Sequence, residues 1–144
     1  MSARVQTAPF DLTTELRDFG QGAGAVVTFS GIVRDDTGQM AALELEHYPG
    51  MTEAAMNDYG ADAARRFDLT DWRIVHRYGR LAVGEQIMFV ATAARHRRAA
   101  FDAADYLMDW LKSRAPFWKR EIGADGSAGW VEAKASDEDA LRRW

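Results

Sequence analysis

An α+β fold with mixed or antiparallel sheets is predicted by two features of this 144-residue sequence. Segments of strand character alternate with segments of helical periodicity. Most neighbouring strand segments are joined by loops too short for a helical crossover. Internal repeats, low-complexity stretches and linkers are absent, so residues 1–144 are expected to form one domain.

Arg4 to Ala8 reads as a short edge strand ended by Pro9. Asp11 suits an N-cap, since its carboxylate can accept from free amides of the next turn. Leu12, Leu16 and Phe19 then mark one helical face, with Gly20 as its stop. Ala25 to Arg34 carries the β-branched and aromatic residues of a strand, and Gly31 inside it signals a bulge or a close approach of another backbone. After the polar loop at Asp35–Gly38, alternation resumes at Leu43, Leu45 and His47 and breaks at Pro49-Gly50. Thr52 is the next expected N-cap, Met51 and Met56 a hydrophobic staple, and the helix runs to about Phe67 despite Gly60. Trp72–Leu81 and Glu85–Ala94 are further strands. An amphipathic helix follows, with Phe101, Ala104, Leu107, Met108 and Leu111 on one face and Pro116 as its stop. Phe117–Ile122 and Gly129–Lys134 form a hairpin around Asp125-Gly126. The charged tail SDEDALRRW is expected to be a short helix or partly ordered.

Composition narrows the function. The chain has no cysteine, which excludes disulfides, thiolate metal sites and a cysteine nucleophile. His47, His76 and His96 are too widely spaced for a zinc motif. No phosphate-binding glycine loop, dinucleotide fingerprint or serine elbow is present. No apolar run reaches the roughly 18 residues of a membrane span, and the first residues lack a secretory h-region, so a cytoplasmic protein is expected. The net charge of −4 and the lack of a nucleic-acid motif argue against a polyanion partner.

Yet cations crowd residues 95–121. The helix there opens beside His96 and Arg97, where free amides and the positive end of the dipole favour an anion. Taken alone, Arg95–Arg98 reads more readily as a solvated basic corner. Lys112 borders the buried face, so partial desolvation is expected to ease loss of its proton; the alternative is a stem lying along apolar surface. Lys119 follows Phe117 and Trp118, either a wall for a flat ring or simply core. Arg34 ends the first long strand.

These residues sit in strings that resemble the large, catalytic subunit of molybdopterin synthase, the MoaE family. The strings are GAVVTFSGIVRDD (24–36), LELEHYPGMTE (43–53), HRYGRLAVGE (76–85), HRRAAFDAADYLMDWLKSRAPFWKRE (96–121) and WVEA (130–133). The resemblance implies an α/β-hammerhead fold with an additional antiparallel β subdomain. It implies conversion of cyclic pyranopterin monophosphate (precursor Z) into molybdopterin by installing a dithiolene. Sulfur would arrive as the C-terminal Gly-Gly thiocarboxylate of a small ubiquitin-like partner, MoaD. The expected assembly is a homodimer within a heterotetramer. The chain ends Arg142-Arg143-Trp144, unlike the carrier, so the receiving subunit is expected.

By the same resemblance Lys112 and Lys119 are catalytic. Ile32, Val33, Arg34, His96, Arg97, Lys112, Lys119, Arg120 and Glu121 line the substrate site, with some phosphate contacts crossing a dimer interface. Some members carry lysine where this chain has Ile32, which leaves a backbone contact there. No metal or organic cofactor is expected. The alternatives are a non-catalytic receptor or scaffold for a ubiquitin-like tail, and a small nucleotide- or RNA-binding domain.

Overall fold

A computed structural model describes residues 1–132 and 134–144; Ala133, in the last of the strings above, lies outside them. In chain order the elements are β1 (Ser2–Gln6), α1 (Leu12–Leu16), β2 (Ala25–Ile32), β3 (Met40–His47), α2 (Met51–Phe67) and β4 (Leu69–Arg77). Then come β5 (Gly79–Ala82), β6 (Gln86–Ala94), α3 (Arg97–Ser113), β7 (Phe117–Gly123), β8 (Ala128–Val131) and α4 (Ala135–Ala140), followed by a 3₁₀ turn at Leu141–Arg143. The α+β expectation holds, with one mixed and one antiparallel sheet. The first sheet has the order β1-β4-β6-β2, with β1 parallel to β4 and the other pairs antiparallel. The second has the order β5-β3-β7-β8, antiparallel throughout.

The first sheet is covered on both faces, which is why β6 reads as an apolar run from Ile87 to Ala94 broken only by Thr92. Ile74, Met88, Val90 and Ala94 face α2 and α3 and join Met56, Ala63, Ala103 and Leu107 in the main core. Val75, Phe89, Ala91 and Ala93 face the other way, against Phe10, Leu12, Leu16 and Phe19. Fully buried Thr92 donates its hydroxyl to the Ala100 carbonyl at 2.7 Å and so ties β6 to α3. Gly60 is the close-approach point between α2 and the sheet: a Cβ there would collide with the Trp72 ring.

Several local expectations hold. Asp11 caps α1, accepting from the amides of Thr13 and Thr14 at 3.3 Å each. The register of β2 shifts between Gly31 and Ile32, as a bulge requires.

Others are corrected. Helix α1 ends at Leu16, three residues before Phe19. Gly50, at φ +81°, takes the N-cap position of α2, and Thr52 lies inside the first turn. No staple forms, because Met51 is exposed while Met56 is fully buried. The strand expected over Trp72–Leu81 divides after Arg77, and its halves join different sheets. Gly79 sits there at φ +88°, a conformation few other residues adopt, and this redirects the chain. On α3, Phe101 points outward rather than into the core, and Ala100, Ala103 and Tyr106 take the buried stripe.

Candidate active site

Strand β7 is built into both sheets' surroundings, and this fixes the side chains it carries. Its entry is pinned twice. The fully buried Thr52 hydroxyl reaches the Pro116 carbonyl at 3.2 Å. The ring of His76, near the end of β4, stacks on Phe117 with centroids 3.8 Å apart and planes 21° from parallel. His76 is itself locked, its Nδ1–H donating to the Arg77 carbonyl at 2.8 Å; the tautomer follows because a carbonyl only accepts. Burial, opposed only by that bond, pushes the His76 imidazole down to about 4 from 6.5, and Lys119 and His47 add to the shift. At neutral pH the ring is uncharged.

Two residues after Phe117, and on the same face of the strand, stands Lys119. It is half-buried. Desolvation lowers its proton affinity below the ordinary lysine range, and repulsion from Lys112 and then Lys134 acts in the same direction, with Asp137 opposing. Lys112 is exposed on the last turn of α3, so the desolvation expected for Lys112 falls on Lys119 instead. Lys112 lies on the last turn of its helix, whereas β7 is flanked on both sides, by β3 and β8. The segment bearing Lys134 and Asp137 is held down by the Arg114–Glu138 pair at 3.0 Å. Farther along, Arg143 binds Asp109 at 2.5 Å.

The other expected site residues are placed as follows. Glu121 shares the Lys119 face of β7 and is exposed. Arg120 lies on the opposite face, where it pairs with Glu44 at 2.6 Å and sits 5.4 Å from the Trp130 ring centre. Arg34 is exposed and pairs with Asp36 at 2.9 Å. Ile32 is exposed, and Val33 is buried. The Val33 amide donates to Glu85 and its carbonyl accepts from Gly84, so its backbone is already engaged.

His96 and Arg97 are exposed at the start of α3. With Gly24, Arg95 and Arg98 they line an open cavity of about 440 Å³. A Cβ at Gly24 would strike the Arg95 carbonyl, so glycine is needed for this corner to close.

The fold therefore brings Lys112 and Lys119 together but does not bring His96 and Arg97 to them within one chain. Arg97 and Lys112 are separated by about 22 Å of helix rise. Arg34 is also remote from His96, because β2 pairs Ala25 with Ala94 at one end and Ile32 with Gln86 at the other, about 23 Å along the strand. Sequence reasoning did not single out His76, Lys134 or Asp137. One usable signal was present: the chain has three lysines against fifteen arginines, and all three lysines meet at Lys119.

Comparison with known proteins places this geometry. The family model described as "MoaE protein" matches residues 5–114. The molybdopterin synthase catalytic subunit of Cereibacter sphaeroides is 54% identical over 147 residues, covering 100% of both chains. A solved MoaE protein from Burkholderia ambifaria superposes with a TM-score of 0.84 at 49% identity, covering 99% of this chain and 97% of that one. Molybdopterin synthase from Staphylococcus aureus gives a TM-score of 0.81 at 32% identity, covering 89% of this chain and 95% of that one. On the extent of these matches, the chain belongs to the MoaE family.

Proposed function

We propose that this chain is the catalytic subunit of a molybdopterin synthase. It moves sulfur from the C-terminal thiocarboxylate of a small ubiquitin-like, MoaD-type partner to cyclic pyranopterin monophosphate. The observation that carries the reading is the half-buried Lys119 amine beside Lys112. Burial, reinforced by repulsion from Lys112, lets the Lys119 amine give up its proton more readily than an isolated lysine. Lys112 transfers protons as the thiocarboxylate sulfur attacks the substrate side chain. Lys119 meets the negative charge that develops as the cyclic phosphate opens, and burial strengthens that interaction.

The phosphate is held by Arg34, His96 and Arg97, the last two supplied by a second copy of the chain. Two features support a second copy. The helix start with its basic cavity lies too far from Lys112 to serve that amine. The outer strand β2 and the adjoining α3 also expose Val26, Phe29, Ile32 and Phe101. The working assembly is a central homodimer with one small subunit at each end. Residues 1–144 act as one domain. Among the described residues no helix is long and apolar enough to cross a membrane, which fits the cytoplasm as its compartment.

The test is co-purification with the thiocarboxylated partner, followed by an assay for dithiolene formation. Wild type is expected to form product. Lys112→Ala is expected to lose about 10²-fold or more in turnover while retaining fold and partner binding. Partner binding without product from the wild-type chain would favour a non-catalytic receptor. Wild-type turnover by Lys112→Ala would overturn the assignment.

A further inference from the structure

The joint between the two sheets lies directly beneath the amine. Strand β4 belongs to the first sheet and β7 to the second. The contact of His76 with Phe117 joins them two residues before Lys119. His47 is a further neighbour of the same phenyl ring, its centroid 6.2 Å away, and packs on Tyr78 at 4.3 Å. Four rings thus fill the floor next to Lys119. A leucine at position 76 could fill space but could not lay a flat ring against Phe117, as His76 does with planes 21° from parallel.

We propose that His76 is a positioning residue for Lys119, acting through Phe117 to fix the start of β7 and to keep water from beneath the amine. The proposal rests on the reading of Lys119 as a catalytic amine. It adds a residue that touches neither substrate nor sulfur. The groups that set the charge around Lys119 are Lys112 from α3, and Lys134 and Asp137 from the C-terminal segment. Arg120 and Glu44 pair on the far face of β7. His76 contributes no charge at neutral pH; it contributes dryness and orientation.

With only three lysines, the chain allows a direct measurement. The full-length protein is reductively methylated with ¹³C-formaldehyde, and the Lys119 methyl signal is titrated by NMR, assigned with Lys112→Arg and Lys134→Arg. In His76→Asn, which keeps a donor but loses the stack, the Lys119 midpoint is expected to rise by about half a pH unit or more. In His76→Phe, which keeps a ring on Phe117, it is expected to stay within about 0.2 units. In turnover, His76→Asn is expected to lower kcat about tenfold with KM changed less than about twofold, and His76→Phe to restore most of the rate. A wild-type Lys119 midpoint in folded His76→Asn overturns the proposal. Should that variant not fold, Phe117→Leu removes the same stack from the other side, and an unmoved Lys119 signal there is equally decisive. Full activity in Lys119→Ala would sink the catalytic reading instead, leaving the titration result standing.

Discussion

The two ends of α3 carry similar charge and opposite surroundings. At its start, Arg95, His96, Arg97 and Arg98 are all exposed around an open cavity. At its finish, Lys112 acts on a second amine that is half-buried and also feels Lys134 and Asp137 of the C-terminal segment. Cations in water bind an anion through reach and number; amines in a dry setting change their proton affinity. On the proposed function one helix carries an anion-holding end and a proton-moving end, about 22 Å apart. A single chain cannot apply both to one small molecule.

The sharpest way to break that comparison is to separate the ends genetically. Arg97→Ala and Lys112→Ala are each expected to be inactive. Co-expressed, they should recover about a quarter of the wild-type rate, because half of randomly assembled dimers are mixed and each holds one complete site of two. A mixture as inactive as its parents would show that both ends serve the same chain's site, or separate ones.

The next effect concerns the floor of the dry end. The folded protein resists protonating His76 until about pH 4, whereas the unfolded chain binds that proton near 6.5. Its contribution to stability is therefore complete above 6.5 and is lost as pH falls toward 4. Between pH 7 and pH 4 the loss is about 3 kcal/mol. Urea midpoints should show wild type losing that much more than His76→Phe over the interval. Equal losses would remove the case for a dry floor.

A smaller effect tests whether the helix layer is as tightly fitted as the site it supports. Gly60→Ala gains helix propensity but drives a methyl into Trp72. The collision should win, with a net destabilisation of about 1–3 kcal/mol by denaturant titration. Turnover per folded molecule should be unchanged.

Local signals told most of the fold. Asp11, the Gly31 bulge and the hairpin around Asp125-Gly126 are short-range chemistry, and each appears where the residues place it. The division at Tyr78 was hidden because apolar alternation runs on across it, and only the sheet order reveals that the strand changes partner. The N-cap at Gly50 was masked by a threonine whose hydroxyl serves a distant carbonyl instead. At the site, spacing along α3 put Lys112 beside the core stripe but could not show where the helix leaves the sheet. The opposite facing of Lys119 and Arg120 was readable from strand alternation alone. The charges around half-buried Lys119 come from Lys112 and Asp137, on α3 and α4, and no local pattern encodes that meeting.

The braces over the C-terminal segment have an evolutionary reading. The Arg114–Glu138 brace is an exposed ion pair, contributing at most about 1 kcal/mol, and so is easily exchanged. Asp137 nonetheless acts on the Lys119 amine from that segment. A relative could retune the reactive nitrogen by altering one acid on α4, leaving every residue of the catalytic strand as it stands.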